Sequence, residues 1–517
     1  MVRIDGNEQT GGTGRRTPGL LRRVWAEKRI AVALVVAAPT ACGLAAAWWM
    51  PRGPLTTTQS LTTMGVGLIV GTVAGLLLRS RWAMLAAPAV TAVVFEAARL
   101  GTDGPTVDGI HTSTYGILAF LVGRGFHALI GLTPMVLGAA IGAGTARRLS
   151  PTPSRPHRAT AGSYIRRGVA ALTAMALIVL AVLIARPAAT AAIRAADSST
   201  VPGSIAELTT VETGGQDLGL MLRGVSTRNP VILFLAGGPG GSELGAMRNH
   251  LSGLEETFVV ATLDQRGTGT SYPELDPADT LTLESYVADT IAVTNYLRDR
   301  FGQDRIYLLA QSGGTLHGIL AVQQAPGLYE AFIGAGQMVN PRETDRIFYQ
   351  DTLAWAARTG NRELADRLEQ IGPPPYANML DYETALSHEH QVYPYDRTGN
   401  SEGEGGFSEN FIVPEYTFTD QVHLLGAFME TFAVLYPQLQ DIDFRETATS
   451  LDVPVYFVQG AHEARGRAEP FREWFRMLEA PGKHMTELAT SGHRPLFEQP
   501  DEFIEYMNHT VLARAGS

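Results

Sequence analysis

The sequence predicts two parts of different class, an α-helical membrane region followed by a mostly parallel α/β domain. Three observations predict it. Five long apolar runs precede residue 190, and short apolar strands then alternate with segments of helical period. Charge divides at the same place: residues 1–187 hold 19 Lys/Arg against 6 Asp/Glu, and the remainder holds 22 against 45. A mean hydropathy near zero is the average of these two unlike parts.

The apolar runs fall at about residues 30–50, 61–78, 82–98, 128–145 and 168–185. Each is long enough, at ~1.5 Å per residue, to cross a hydrocarbon core of ~30 Å, the shortest only just. The N-terminal tail holds Arg15, Arg16, Arg22, Arg23, Lys28 and Arg29, and the next loop only Arg52. The turn after it holds Arg79 and Arg81, the third loop no Lys or Arg, and the fourth six arginines. This loop-by-loop alternation predicts a cytoplasmic N-terminus, and an odd number of spans puts the chain after Ala185 outside the cytoplasm. The first run reads as a retained anchor rather than a cleaved signal peptide, since four spans follow it. Residues 115–123 are apolar but too short to cross alone, and are expected to lie along the interface, with Arg124 and His127 near the headgroups. Gly67, Gly71 and Gly75 recur every four residues, a face for close helix packing.

These readings divide the chain into a basic cytoplasmic tail (1–29), a five-span membrane region (30–187), a polar linker (188–204) and the α/β domain (205–517). The lipid bilayer is the partner the first part implies. The acidic surface of the second repels phosphate backbones, which argues against nucleic-acid binding. A single cysteine, Cys42, excludes a disulfide scaffold and a cysteine-held zinc. No metal or organic cofactor is expected: His388 and His390 in "HEH" read as surface residues, because two histidines without further ligands make a poor site.

Within the α/β domain, "PVILFLAGGPGG" is a buried strand breaking into glycines, and "FVVATLDQRGTGTS" is a second strand ending in a turn. "LTLESYVADTIAVTNYLRDRF" has helical spacing behind a threonine cap. "RIYLLA" is a third strand and "GTLHGILAVQQA" a helix, with "AQSGG" (Ala310 to Gly314) between them. That pentapeptide nearly spells G-x-S-x-G. A serine on a tight strand-to-helix turn needs small neighbours, and Ala310, Gly313 and Gly314 qualify. The helix behind Ser312 aims its N-terminal N–H groups at the same place, where they favour an oxyanion.

A serine hydroxyl needs an oriented base to act as a nucleophile. "VPVYFVQGAHEARG" places Glu463 just beyond a strand, and "TSGHRPLFEQP" places His493 in a loop before the last helix. Their order, Ser312, Glu463, His493, is the one this sheet topology requires.

From about Leu208 onward the sequence resembles the α/β-hydrolase superfamily, and within it the prolyl iminopeptidase-like serine peptidases. "AGGPGG" (Ala236 to Gly241), "DQRGTGTS" (Asp264 to Ser271) and the serine turn carry the resemblance. It implies a largely helical lid at about residues 341–450, and an oxyanion hole from a backbone N–H in Gly237–Gly238 and that of Gly313. Three departures stand out: Ala236 for the usual histidine, Ala310 for the first glycine of the turn, and Glu463 for the commoner aspartate. Asp264 and Arg266 are expected to brace their turn. In relatives that remove N-terminal residues, lid carboxylates hold the substrate's α-amino group; Glu383 and Glu389 are available here. "TGNSEGEGGFSEN" within the lid is Gly/Ser-rich and expected to be mobile.

The reading is a membrane-anchored serine hydrolase cleaving an amide or ester through an acyl-enzyme, most simply an aminopeptidase acting on small peptides. A carboxylesterase taking acyl esters is the alternative in kind. A catalytically silent domain serving as sensor or interaction module is the alternative in class. The oligomeric state is left open.

Overall fold

The computed structural model describes residues 19–149, 160–398 and 408–515. Most of the basic tail, the middle of the fourth loop and most of the Gly/Ser-rich stretch at 398–410 lie outside them. The chain divides into two units. One comprises Met1–Pro54, Thr58–Thr102 and Phe126–Ala185; the other comprises Leu55–Thr57, Asp103–Gly125 and Arg186–Ser517.

The first unit is helical. A short helix α1 (Gly19–Ala26) precedes α2 (Lys28–Trp49), α3 (Thr57–Leu78) and α4 (Ala83–Ala98). Helices α6 (Thr133–Leu149) and α7 (Ala161–Ala185) follow; α5 (Thr114–Phe120), which precedes α6 in the chain with two π-helical turns between them, belongs to the second unit. Among the described residues, four helices are long and apolar enough to cross a membrane: α2, α3, Thr114–Leu149 and α7. All five expected runs are therefore helical, but α4, with 16 residues, is shorter than a full span. The glycine face of α3 packs as its spacing suggests. A Cβ on Gly71 would lie 1.9 Å from the Met135 carbonyl oxygen, and one on Gly75 would lie 2.2 Å from that of Ala139. Only a residue without a side chain allows that approach.

The second unit is built on one eight-stranded sheet, with strands β1 (Ile205–Thr213), β2 (Gln216–Gly224), β3 (Val231–Leu235), β4 (Val259–Leu263), β5 (Ile306–Gln311), β6 (Tyr329–Ala335), β7 (Val455–Gly460) and β8 (Lys483–Leu488). Their spatial order is β1-β2-β4-β3-β5-β6-β7-β8. The β1/β2 and β2/β4 pairs are antiparallel and the rest parallel. Strands β3, β4, β5 and β7 are buried at every position, because helices cover both faces of a parallel sheet. That is why they read as unbroken apolar runs.

The covering helices begin with α8 (Leu244–His250), α9 (Leu283–Phe301) and α10 (Gly314–Gln324). Thr282 caps α9 in a reciprocal box with Ser285, and Gly302 ends it in the left-handed conformation. Between β6 and β7 lie α11 (Pro341–Thr359), α12 (Arg362–Ile371), three short helices α13 (Glu383–Leu386), α14 (Glu389–Val392) and α15 (Ser408–Phe411), then α16 (Phe418–Leu439) and α17 (Phe444–Thr447). After β7 comes α18 (Arg465–Met477), and after β8 come α19 (Pro495–Glu498) and α20 (Pro500–Tyr506).

The linker 188–204 is tied down near its start. Buried Arg223 on β2 donates to Thr190 Oγ1 and to the Ala191 carbonyl, each at 2.6 Å, and the Ala189 N–H reaches the Pro414 carbonyl. Residues 115–123, expected along the membrane interface, belong with the sheet unit, and Ala119 is wholly buried in its core.

Candidate active site

Ser312 stands at the end of β5, where the chain reverses into α10. Its φ is +50°, a left-handed value unusual for a residue with a side chain, and its N–H is held by the Ala335 carbonyl at 2.9 Å. The turn is closed by contacts that leave no room. A Cβ on Gly313 would lie 2.2 Å from the Gly238 carbonyl oxygen, and one on Gly314 would lie 2.4 Å from that of Ala236. Gly237 closes the other side, where a Cβ would sit 2.3 Å from Gln311 Oε1 and 3.0 Å from Ser312 Cβ. Gly238 has φ +114°, which only glycine adopts without strain. The three glycines expected around an oxyanion are thus packed together beside Ser312. Ala310 is fully buried and is accommodated in place of glycine.

Ser312 Oγ lies 2.6 Å from His493 Nε2, and His493 Nδ1 lies 2.6 Å from Glu463 Oε2. An ionised carboxylate only accepts, so Nδ1 carries the proton toward Glu463 and Nε2 is left to accept from the serine hydroxyl. The other carboxylate oxygen, Oε1, accepts from Arg467 Nε at 2.7 Å and from the Ala464 N–H at 2.8 Å. Burial alone would raise the Glu463 carboxyl; Arg467 and His493 outweigh it and hold the group down at about 2. The acid therefore stays charged beneath the imidazole at any ordinary pH.

The loop bearing His493 is clamped on both sides of the histidine by one side chain. Glu498, on α19, accepts the Gly492 N–H at 2.8 Å and the Arg494 N–H at 3.0 Å. Tyr395 OH donates to the same carboxylate at 2.7 Å. Neither Arg467 nor Glu498 was anticipated from the sequence. Arg467 was within reach of a charge-pattern argument, standing four residues after Glu463.

Ser312 and His493 open onto a cavity of about 710 Å³ beneath the β6–β7 insertion. Its lining includes Glu243, Asp345, Glu389 and Glu498. Most of that acidity is engaged. Glu389 is paired with Arg467, and Glu243 accepts from Arg494 at 3.1 Å and Asn410 at 2.8 Å. Asp345 meets only neutral donors, Tyr436 OH at 2.7 Å and Gln440 Nε2 at 3.0 Å. Burial raises it to about 7, against those two hydrogen bonds and the more distant charge of Arg467. Glu383, expected to be available for a substrate amine, instead accepts the Tyr115 N–H at 3.1 Å, and Glu389 is taken by Arg467.

The remaining sequence candidates brace the frame. Asp264 accepts the Thr270 N–H and hydroxyl, each at 2.9 Å, and Tyr416 OH at 3.0 Å. Arg266 makes a two-pronged pair with Asp289, both contacts at 2.9 Å. His388 hydrogen-bonds the Thr384 carbonyl through Nδ1. Among the described residues no three His, Cys, Asp or Glu side chains converge as metal ligands would.

Residues 230–372 match the family model described as the alpha/beta hydrolase fold. The chain is 28% identical over 322 residues to the Bacillus subtilis (strain 168) protein named Probable aminopeptidase YbaC, covering 59% of this chain and 96% of that one. Among solved structures it is similar to a proline iminopeptidase-related protein from Thermus thermophilus, at 22% identity and TM-score 0.43, covering 60% of this chain and 98% of that one. The proline iminopeptidase of Mycobacterium smegmatis is similar at 18% identity and TM-score 0.44, covering 60% and 99%.

Proposed function

We propose that the protein is a membrane-anchored serine hydrolase of prolyl iminopeptidase-like, aminopeptidase type, its hydrolase domain outside the cytoplasm; the match of residues 230–372 to the alpha/beta hydrolase fold and the likeness to a probable aminopeptidase support the reading. The observation that carries the reading is the unbroken line from Ser312 Oγ through His493 to the charged carboxylate of Glu463. Ser312 Oγ attacks the substrate carbonyl as His493 Nε2 takes its proton. The imidazolium is stabilised by Glu463, and returns the proton to the leaving amine as the tetrahedral intermediate collapses. Backbone N–H groups at Gly237–Gly238 and Gly313 stabilise the oxyanion. Water, activated by the same histidine, then releases the acyl group.

Aminopeptidase chemistry is favoured over ester hydrolysis by the cavity's acidity. Asp345, which lines the cavity without a cationic partner in hydrogen-bond contact, is the group we assign to the substrate ammonium. The four full-length apolar helices support membrane anchoring, and the outside placement counts the shorter α4 as a fifth crossing, in keeping with the loop charges. The substrate is a small peptide, or an amide with a free amino end. The test is covalent labelling by a fluorophosphonate probe: the wild type should label and Ser312→Ala should not. Equal labelling of both would rule the assignment out.

A further inference from the structure

We infer that the segment Asp103–Gly125, which in sequence lies between apolar helices α4 and α6, is part of the substrate pocket, and that Tyr115 on it is a specificity-determining residue. The inference rests on the hydrolase reading above and adds a pocket wall to it. Three observations carry it.

First, the segment packs within the same compact unit as the sheet, and Tyr115 lines the cavity onto which Ser312 and His493 open. Second, Tyr115 is held in place. Ser113 caps its helix by accepting the Gly116 N–H at 3.1 Å, and the Tyr115 N–H donates to Glu383. Third, the insertion between β6 and β7 is built to receive this segment. Glu430, fully buried on α16, accepts the Thr106 N–H at 2.8 Å and the Thr106 hydroxyl through the same oxygen. A Cβ on Gly426, one turn earlier, would sit 3.2 Å from Val122 Cγ2 and 3.3 Å from Thr106 Cγ2. A buried carboxylate deprived of its donors is costly, so Glu383 and Glu430 on the insertion and the backbone of this segment specify one another.

The wall that Tyr115 joins is aromatic, with Tyr382, Phe428, Phe432 and Tyr436 also lining the cavity. Such a surface suits a bulky apolar group on the acyl side of the scissile bond, and its discrimination is set by volume.

The experiment uses the full chain in detergent and 4-nitrophenyl esters carrying acetyl, butyryl and 3-phenylpropionyl groups, with fluorophosphonate labelling run alongside. Tyr115→Ala, which enlarges the pocket, should raise the ratio of phenylpropionyl to acetyl kcat/KM by about tenfold. Tyr115→Trp, which fills it, should lower that ratio by about tenfold. If the alanine variant does not fold, the tryptophan variant decides alone. An unlabelled wild type would overturn the serine-hydrolase reading and the wall with it. A labelled wild type whose substrate ranking survives in both variants would overturn the wall only.

Discussion

Arg467 Nε and His493 Nδ1 divide the carboxylate of Glu463 between them, the guanidinium on Oε1 at 2.7 Å and the imidazole on Oε2 at 2.6 Å. The same arginine reaches on to Glu389 at the cavity wall and lies over the face of Phe348. An acid whose carboxylate is nearly buried is thus kept ionised by a cation buried beside it, and the cation is fixed by the lid.

Arg467→Met should therefore destabilise the domain by about 3 kcal/mol at neutral pH, because it leaves a buried carboxylate uncompensated. The sign with pH follows from the position of Glu463. Its folded value, about 2, lies below its free value of ~4.3, so its contribution to stability is complete above that free value and drains away as pH falls toward 2. Denaturant melts of the two proteins should converge as pH is lowered through that window. A gap that stays constant from pH 7 to pH 3 would show that Arg467 does not act through Glu463.

Glu463→Gln removes the charge but keeps the shape. The amide can donate to His493 Nδ1 and so stabilise the wrong tautomer, and turnover should fall by roughly 10⁴-fold; the melting temperature should fall as well, because buried Arg467 keeps only Glu389 as a charged partner. Steady-state kinetics alongside thermal melts would check it, and a loss under tenfold would argue against Glu463 as the orienting acid.

Glu498→Ala frees both amides that flank His493. The serine, the acid and the glycine turn are untouched, but the imidazole is no longer held at its working distance. Turnover should drop ~10–100-fold, as misplacement of a catalytic group by about 1 Å does. Glu498→Gln, which keeps one acceptor, should recover part of that. Equal activity in wild type and alanine variant would mean the loop is held by other contacts.

These clamps mark where sequence reading stops. The strands around Ser312 were legible because a parallel sheet buried on both faces demands unbroken apolar runs, and the turn because it tolerates only small residues. The order Ser312, Glu463, His493 was legible because topology fixes it. Glu498 was not, since a carboxylate that accepts two backbone amides leaves no periodic trace and reads like any surface charge. The place of residues 115–123 was misread for a related reason. Their apolar character suits an interface and a protein core equally. What distinguishes the two is the pair of distant partners, Glu383 for Tyr115 and Glu430 for Thr106, 268 and 324 residues further along the chain. The shortness of α4 was legible in its run, which has 17 residues, of which the helix keeps all but Trp82.

Asp345 separates the aminopeptidase reading from an esterase. Burial raises its folded value to about 7 from a free value of ~3.9, so the folded state holds the proton more tightly than the unfolded one. Its stabilising contribution is complete below the free value and is lost as pH rises from about 4 to about 7. Asp345→Asn should remove that slope and leave the domain more stable at pH 8. In catalysis the same charge should matter in the opposite sense, since the carboxylate that burdens the fold above pH 7 is the form that holds an ammonium. A charged hydrogen bond of ~1.5–3 kcal/mol corresponds to at least a tenfold rise in KM for amides with a free α-amino group. The N-acetylated counterparts should keep their KM. In the wild type, the preference for the free amine should weaken as pH drops below about 7 and Asp345 takes up its proton. Paired KM measurements on free and N-acetylated alanine 4-nitroanilide, from pH 5.5 to 8.5, test both statements. If the two substrates respond alike to the substitution, Asp345 does not read the amine, and the aminopeptidase assignment loses its anchor while the serine mechanism stands.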